Sequence, residues 1–192
     1  MNAIFTPLQL DAIKELGNIG SGNAATSLSV LLNKPVNLEV GEVQIIPVDG
    51  FFERLSFSEA ESLSLANELS EDLHGFFWLL IEKKHVGSLC ETLTGMPGYE
   101  DPSVMEEISN ILGGNYINAL SQLLNLTIDM APPKFLEPAT EFLSQQKQVE
   151  LGLEGVLFIQ NTLTIDGEKM DVFLSTILDK PSLDKVLEVF GL

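Results

Sequence analysis

Residues 15–23 read ELGNIGSGN, and the fold turns on whether their three glycines break a helix or lie within one. Glycine inside a helix costs about 1 kcal/mol relative to alanine, so three in nine positions suggest a loop, and a glycine-rich loop suggests phosphate binding. Two observations oppose that reading. A phosphate-cradling loop follows a strand and ends in Lys-Ser/Thr, whereas GSGNAA does neither. A loop would also cut an apolar period that runs through Leu10, Ile13, Leu16, Ala24, Leu28 and Leu31. Thr6, Pro7 and Gln9 supply an N-cap, a first-turn proline and a capping-box partner, so the spacing predicts one helix over about 7–32. Gly17, Gly20, Ser21, Ala24 and Ala25 then make a flat flank for close packing, as Gly113 and Gly114 do in a second such segment, with Glu15 and Asn18 on the other side.

Beyond this helix, KPVNLEVGEVQIIPV is β-branched and alternating, and SLSLANELSEDLHGFFWLLIE reads as two strands joined by a turn near Asp72 to Gly75. A short helix over about 84–94 and the linker GMPGYEDP close the first half. The order then begins again. Asp101 caps and Pro102 opens a second long helix, SVMEEISNILGGNYINALSQLLN, followed by LTIDM, by VELGLEGVLFIQNTLTIDGEKMDVFLSTIL with an Asp-Gly turn at 166–167, and by a last helix, PSLDKVLEVF.

Sliding the sequence by 92 positions places Glu15 on Glu107, Asn18 on Asn110, Ile19 on Ile111, Gly22 on Gly114 and Asn23 on Asn115. Leu28, Ser29, Leu31, Leu32 and Asn33 likewise fall on Leu120, Ser121, Leu123, Leu124 and Asn125, giving ten identities in nineteen positions. A shared amphipathic pattern does not produce that many, so the chain is internally duplicated. The expected fold is α+β, a helix–strands–helix unit repeated about a pseudo-twofold axis, with antiparallel strands packed against two long helices. The expected organisation is a single domain over 1–192 made of repeats at about 6–98 and 99–192.

The repeated polar residues are more informative than the leucines, which packing alone would repeat. At roughly 100° per residue, Asp11, Glu15 and Asn18 lie within about 60° of one another on one stripe, and Ser103, Glu107 and Asn110 form the same stripe on the second helix. A solvated face explains one such stripe, but asparagine costs about a few tenths of a kcal/mol in a helix interior and here stands at both equivalent positions.

Composition narrows the function classes. With 28 acidic and 10 basic residues the chain carries a formal charge of -18, which argues against sequence-independent binding of nucleic acid or anionic lipid and leaves protein partners. Cys90 is the only cysteine, so no intrachain disulfide forms, and it sits on the apolar side of a short helix as a core residue. The N-terminus lacks a basic segment followed by an apolar core, and the longest apolar run, FFWLLI at 76–81, is far shorter than the ~20 residues of a spanning helix. These features predict a cytoplasmic protein without membrane insertion. His74 and His85 have no partner at metal-ligand spacing, and no nucleophile elbow or triad is present, so no cofactor or metal is expected in this chain.

Both stripes resemble the signature of the CheC, CheX and FliY chemotaxis phosphatases: Asp or Ser, Glu four residues on, Asn three after that, and a proline further downstream. The resemblance covers nearly the whole chain, and two motifs in a chain of 192 residues resemble the CheC branch, since CheX carries one active helix and FliY adds a flagellar-switch domain. One position departs. The proline 23 residues after the motif Asn is present as Pro133 in the second copy, whereas the first has Gly41.

The resemblance implies hydrolysis of the aspartyl phosphate on a CheY-type response regulator. Asn18 and Asn110 would orient the attacking water, since a neutral amide does so without repelling phosphoryl oxygens. Glu15 and Glu107 would anchor the regulator, and Asp11 and Ser103 would support the interface. Mg²⁺ would come with the regulator. The family implies a second partner, the deamidase CheD. Two other classes stay open, a non-catalytic adaptor for CheD or a regulator and a flagellar-switch component.

Overall fold

The structure is a computed structural model that describes residues 6–46, 58–98, 101–139, 141–142 and 156–189. Helix α1 runs unbroken over Pro7–Leu32, and Thr6 caps it as a full capping box: the Gln9 N–H donates to Thr6 Oγ1 and the Thr6 N–H donates to Gln9 Oε1. ELGNIGSGN is therefore helical throughout. Strand β1 (Val36–Ile46) follows, then β2 (Ser62–Glu71), β3 (Gly75–Glu82) and α2 (Val86–Thr94). The second half comprises α3 (Pro102–Leu124), β4 (Ile128–Met130), β5 (Lys134–Phe135), β6 (Val156–Ile165), β7 (Glu168–Leu178) and α4 (Lys180–Val189). Asp101 caps α3 by accepting from the Ser103 N–H. The sequence-predicted positions 47–48, 99–100, 149–155 and 190 lie outside the described residues.

All the strands join one antiparallel sheet in the order β1-β6-β7-β3-β2-β4, with β5 also pairing β2. The halves cross over. First-half β1 pairs second-half β6, and second-half β4 pairs first-half β2, while β3 and β7 meet at the centre. The dyad passes through the Leu79–Leu174 pair: it carries Phe77 to Val172 and so carries Asn67, opposite Phe77, to Asn161, opposite Val172. Turn hydrogen bonds repeat the relation, with the Asp72 N–H donating to the Thr127 carbonyl just past α3 and the Asp166 N–H to the Pro35 carbonyl just past α1. Each long helix is thus tied to the hairpin of the other half.

The same symmetry resolves the Gly41 and Pro133 departure. Register slips by one residue between Val40 and Val43 in β1, and the pairing of β2 slips by one residue between Met130 and Phe135. A bulge accommodates glycine, and Pro132 and Pro133 interrupt the ladder because proline has no N–H to donate. Two residue types produce one local break at equivalent positions.

The two long helices cross on one face of the sheet, over a core that includes Leu28, Leu65, Phe77, Leu79, Leu112, Tyr116 and Leu174. The contact explains one glycine of the opening stretch: a Cβ on Gly20 would lie 2.5 Å from the ring of Tyr116. A Cβ on Gly113 would likewise lie 2.8 Å from Phe77 and 2.9 Å from Met130. Burial pushes the Tyr116 hydroxyl up to about 12, so it stays neutral between helix and sheet. Cys90 is fully buried, as its place on the apolar side of α2 requires.

Candidate functional site

The motif residues lie on the outward faces of α1 and α3. Asp11, Glu15 and Asn18 are exposed, as are Ser103 and Glu107, and Asn110 is half-buried. Neither glutamate folds back on the sheet, and both stay open to a partner.

What separates these residues from the other repeated polar residues is how the chain uses each. Asn23 and Asn115 donate to the carbonyls of Ile19 and Ile111, one turn back in their helices. Ser29 and Ser121 donate to the carbonyls of Lys34 and Leu126, closing the two helix ends. Asn33 and Asn125 are the C-caps, with φ of 49° and 54°, a left-handed conformation that asparagine tolerates better than most residues. Those three repeats make the same contact with their own helix in both copies, and Asn115 also accepts from Ser27 Oγ of α1 at 2.8 Å. Glu15 and Glu107 make no side-chain hydrogen bond or ion pair among the described residues, and neither does Asn18.

Gly114 does not belong to the packing flank with Gly113: a Cβ there would meet only the Met130 methyl, at 4.0 Å. Its counterpart Gly22 is exposed, with nothing within 4 Å, and stands one turn beyond Asn18 on the same stripe as Asp11 and Glu15. The repeated glycine therefore lies on the open face.

Asn110 differs from Asn18. The side chain of Asn67, fully buried on β2, donates through Nδ2 to the Ala131 carbonyl at 3.0 Å and to Asn110 Oδ1 at 3.4 Å, and its Oδ1 accepts from Ser109 Oγ at 2.9 Å. The symmetry-related Asn161 accepts from Ser21 Oγ at 3.3 Å, on the turn of α1 after Asn18. Neither asparagine is singled out by the 92-residue repeat. Both occupy the inward, otherwise apolar phase of their strands, after Leu63 and Leu65 in β2 and before Leu163 and Ile165 in β6, and that phase is the signal that could have found them.

Among the described residues no three His, Cys, Asp or Glu side chains gather as a metal site, and no helix is long and apolar enough to cross a membrane.

The CheC-like family matches residues 8–40 and 102–137, the two helices with the strand segments that follow them. The CheY-P phosphatase CheC of Bacillus subtilis is 25% identical over 135 residues, 66% of this chain and 65% of that protein. The flagellar motor switch phosphatase FliY of the same organism is 28% identical over 141 residues, 68% of this chain and 36% of that protein. The chain thus spans less than two thirds of either relative. Among solved structures, Thermotoga maritima FliY superposes with a TM-score of 0.78 at 25% identity over 98% of both chains. The FliM middle domain of Vibrio alginolyticus shares the fold, with a TM-score of 0.64 at 14% identity over 93% of this chain and 99% of that one. The class is a duplicated α+β unit bearing two outward Glu/Asn helix motifs. Both repeats resemble the CheC-like family.

Proposed function

We propose that this chain hydrolyses the aspartyl phosphate of a CheY-type response regulator, ending or adapting a chemotaxis signal. The observation that carries the reading is the contrast among repeated polar residues: three pairs bond back to, close or cap their own helices, whereas the glutamate of each motif faces solvent without a partner among the described residues. The named relatives CheC and FliY, whose names state phosphatase activity, support it.

In the proposed reaction Glu15 or Glu107 pairs with a cation beside the regulator's phosphoaspartate, and the asparagine one turn on enters the site. Its amide holds a water in line with phosphorus. The water oxygen bonds to phosphorus as the bond from phosphorus to the aspartate oxygen breaks; the carboxylate leaves with the electron pair, and the water proton passes to the released phosphate or solvent. Positioning and electrostatics supply the acceleration, as expected when phosphoryl transfer leaves little covalent work for the protein. The site would bind no metal of its own. Mg²⁺ held by the regulator would neutralise charge on the phosphoryl oxygens. Asp11 and Ser103 would flank the contact on the preceding turn.

The test is Asn18→Ala with Asn110→Ala in one chain, assayed for phosphate release from a phosphorylated CheY-type regulator. Release is expected to fall to the regulator's own rate, a loss of about 10²-fold or more, with binding retained. Release at the wild-type rate by a folded double variant would sink the phosphatase reading and leave an adaptor for CheD or a regulator. Incorporation into the flagellar switch without phosphate release by the wild type would favour the switch-component reading.

A further inference from the structure

We infer that Asn67, a residue of the sheet, positions the Asn110 amide for hydrolysis, so that the site on α3 is preorganised and the site on α1 is not; the inference rests on the function proposed above.

The orientation of the two side-chain amides follows from one atom that can only accept. The Ala131 carbonyl takes the Nδ2 of Asn67, so Nδ2 is the edge that also faces Asn110, and the edge left for Ser109 is Oδ1. Asn110 must therefore present Oδ1 to Asn67. Its own Nδ2 is left to point away from the sheet, as a donor aimed outward from a half-buried side chain. A water accepting that N–H keeps a lone pair free for phosphorus, and its place is set before the regulator arrives.

The break between β4 and β5 makes this possible. Ala131 stands where Pro132 and Pro133 interrupt the ladder: its N–H donates to the Glu68 carbonyl, and its own carbonyl takes the buried amide of Asn67. The downstream proline that accompanies the motif is thereby connected to the motif asparagine through a chain of side-chain and main-chain atoms. Asn18 has no such support among the described residues, because Asn161 engages Ser21, beyond it on α1. Its amide can rotate, and each encounter must fix it.

The experiment isolates the α3 site in the full-length chain carrying Asn18→Ala, and compares Asn67→Ala with Asn161→Ala, its partner under the dyad. Both substitutions remove a buried amide at equivalent places, so their unfolding curves report the structural cost common to the two. Steady-state release from a phosphorylated CheY-type regulator reads kcat and KM, and ¹⁵N relaxation of the Asn110 side-chain NH₂ reads its order without any regulator. Asn67→Ala is expected to lower kcat roughly tenfold or more, change KM less than twofold and loosen the Asn110 amide, since small displacements of a positioning group are costly. Asn161→Ala is expected to leave all three as they were. An unchanged kcat with a loosened Asn110 overturns the inference, and so does an equal kcat loss in both variants or a loss without loosening. A wild-type chain that releases no phosphate above the regulator alone defeats the proposed function itself, and is recognised before any Asn67 variant is compared.

Discussion

Helices α1 and α3 carry the same glutamate and asparagine at the same spacing, yet the sheet treats the two asparagines differently. Asn110 is held by Asn67 and half-buried, while Asn18 stands exposed. The C-caps repeat, with Asn33 and Asn125 at equivalent positions, and an asparagine of the sheet lies at the equivalent place beneath each helix. The buried faces of the helices differ: α3 has Ser109 where α1 has Gly17, and α1 has Ser21 where α3 has Gly113, so Asn67 is held beside Asn110 whereas Asn161 is held one turn beyond Asn18. A dyad can duplicate the group on the open face while leaving its support to diverge, because the two are set by different faces of the helix.

The most severe way to break the comparison is to separate the halves. Because, among the described residues, β1 pairs only with β6 and β4 only with β2, residues 1–98 and 99–192 expressed apart are each expected to lack a cooperative unfolding transition by circular dichroism, and mixing them should restore it. A cooperative transition in either half alone would contradict the crossed pairing as the source of stability.

Single motif variants sharpen the comparison next. Asn110→Ala is expected to lower phosphate release from a phosphorylated regulator several-fold more than Asn18→Ala, read as kcat with both chains equally folded. Equal losses would mean that the support from Asn67 does not matter to the reaction.

Two glycines of one helix give a smaller contrast. Gly20→Ala drives a methyl into the Tyr116 ring and is expected to destabilise the protein by about 1–3 kcal/mol in urea unfolding. Gly22→Ala meets nothing and is expected to stabilise it by about 0.5–1 kcal/mol. If Gly22 keeps the open face low for a partner, the more stable Gly22→Ala chain will also bind the regulator more weakly.

The last contrast is between the hairpin turns. Lys185 and the Thr127 N–H hold the Asp72 carboxyl below its ordinary 3.8, whereas Asp166 has a looser pair with Lys34 at 3.9 Å. Since the folded value is the lower one, these bonds contribute stability above about pH 4 that fades as pH falls through the folded value. Asp72→Asn should therefore lower the melting temperature at pH 7 and leave it nearly unchanged at pH 2–3. Asp166→Asn should change little at either.

Much of this was legible in the sequence, for reasons specific to particular residues. Thr6, Pro7 and Gln9 fixed the start of α1, and Asn33 and Asn125 mark where the helices end, because caps and left-handed positions are local chemistry. The outward stripes followed from helical period alone. The crossing of the halves was not legible, since the pairing of Val36 with Ile165 joins residues far apart in the chain and no local pattern encodes it. Asn67 was missed for a related reason. The helices repeat at an offset of 92, but the dyad places Asn67 on Asn161 at 94, because the connections between helix and hairpin differ in length. A single slide aligns one layer of the duplication and hides the other.

The crossed strands also say something about ancestry. A half-length chain with this pattern could cover the edges of its own hairpin only by lending its long helix and first strand to a second copy and borrowing theirs in return, as arm-exchanged homodimers do. Joining two such copies end to end removes the dependence on concentration that such a dimer carries. It also frees each copy from having to match the other, and an asparagine under one motif can then be set to a use that its twin never acquires.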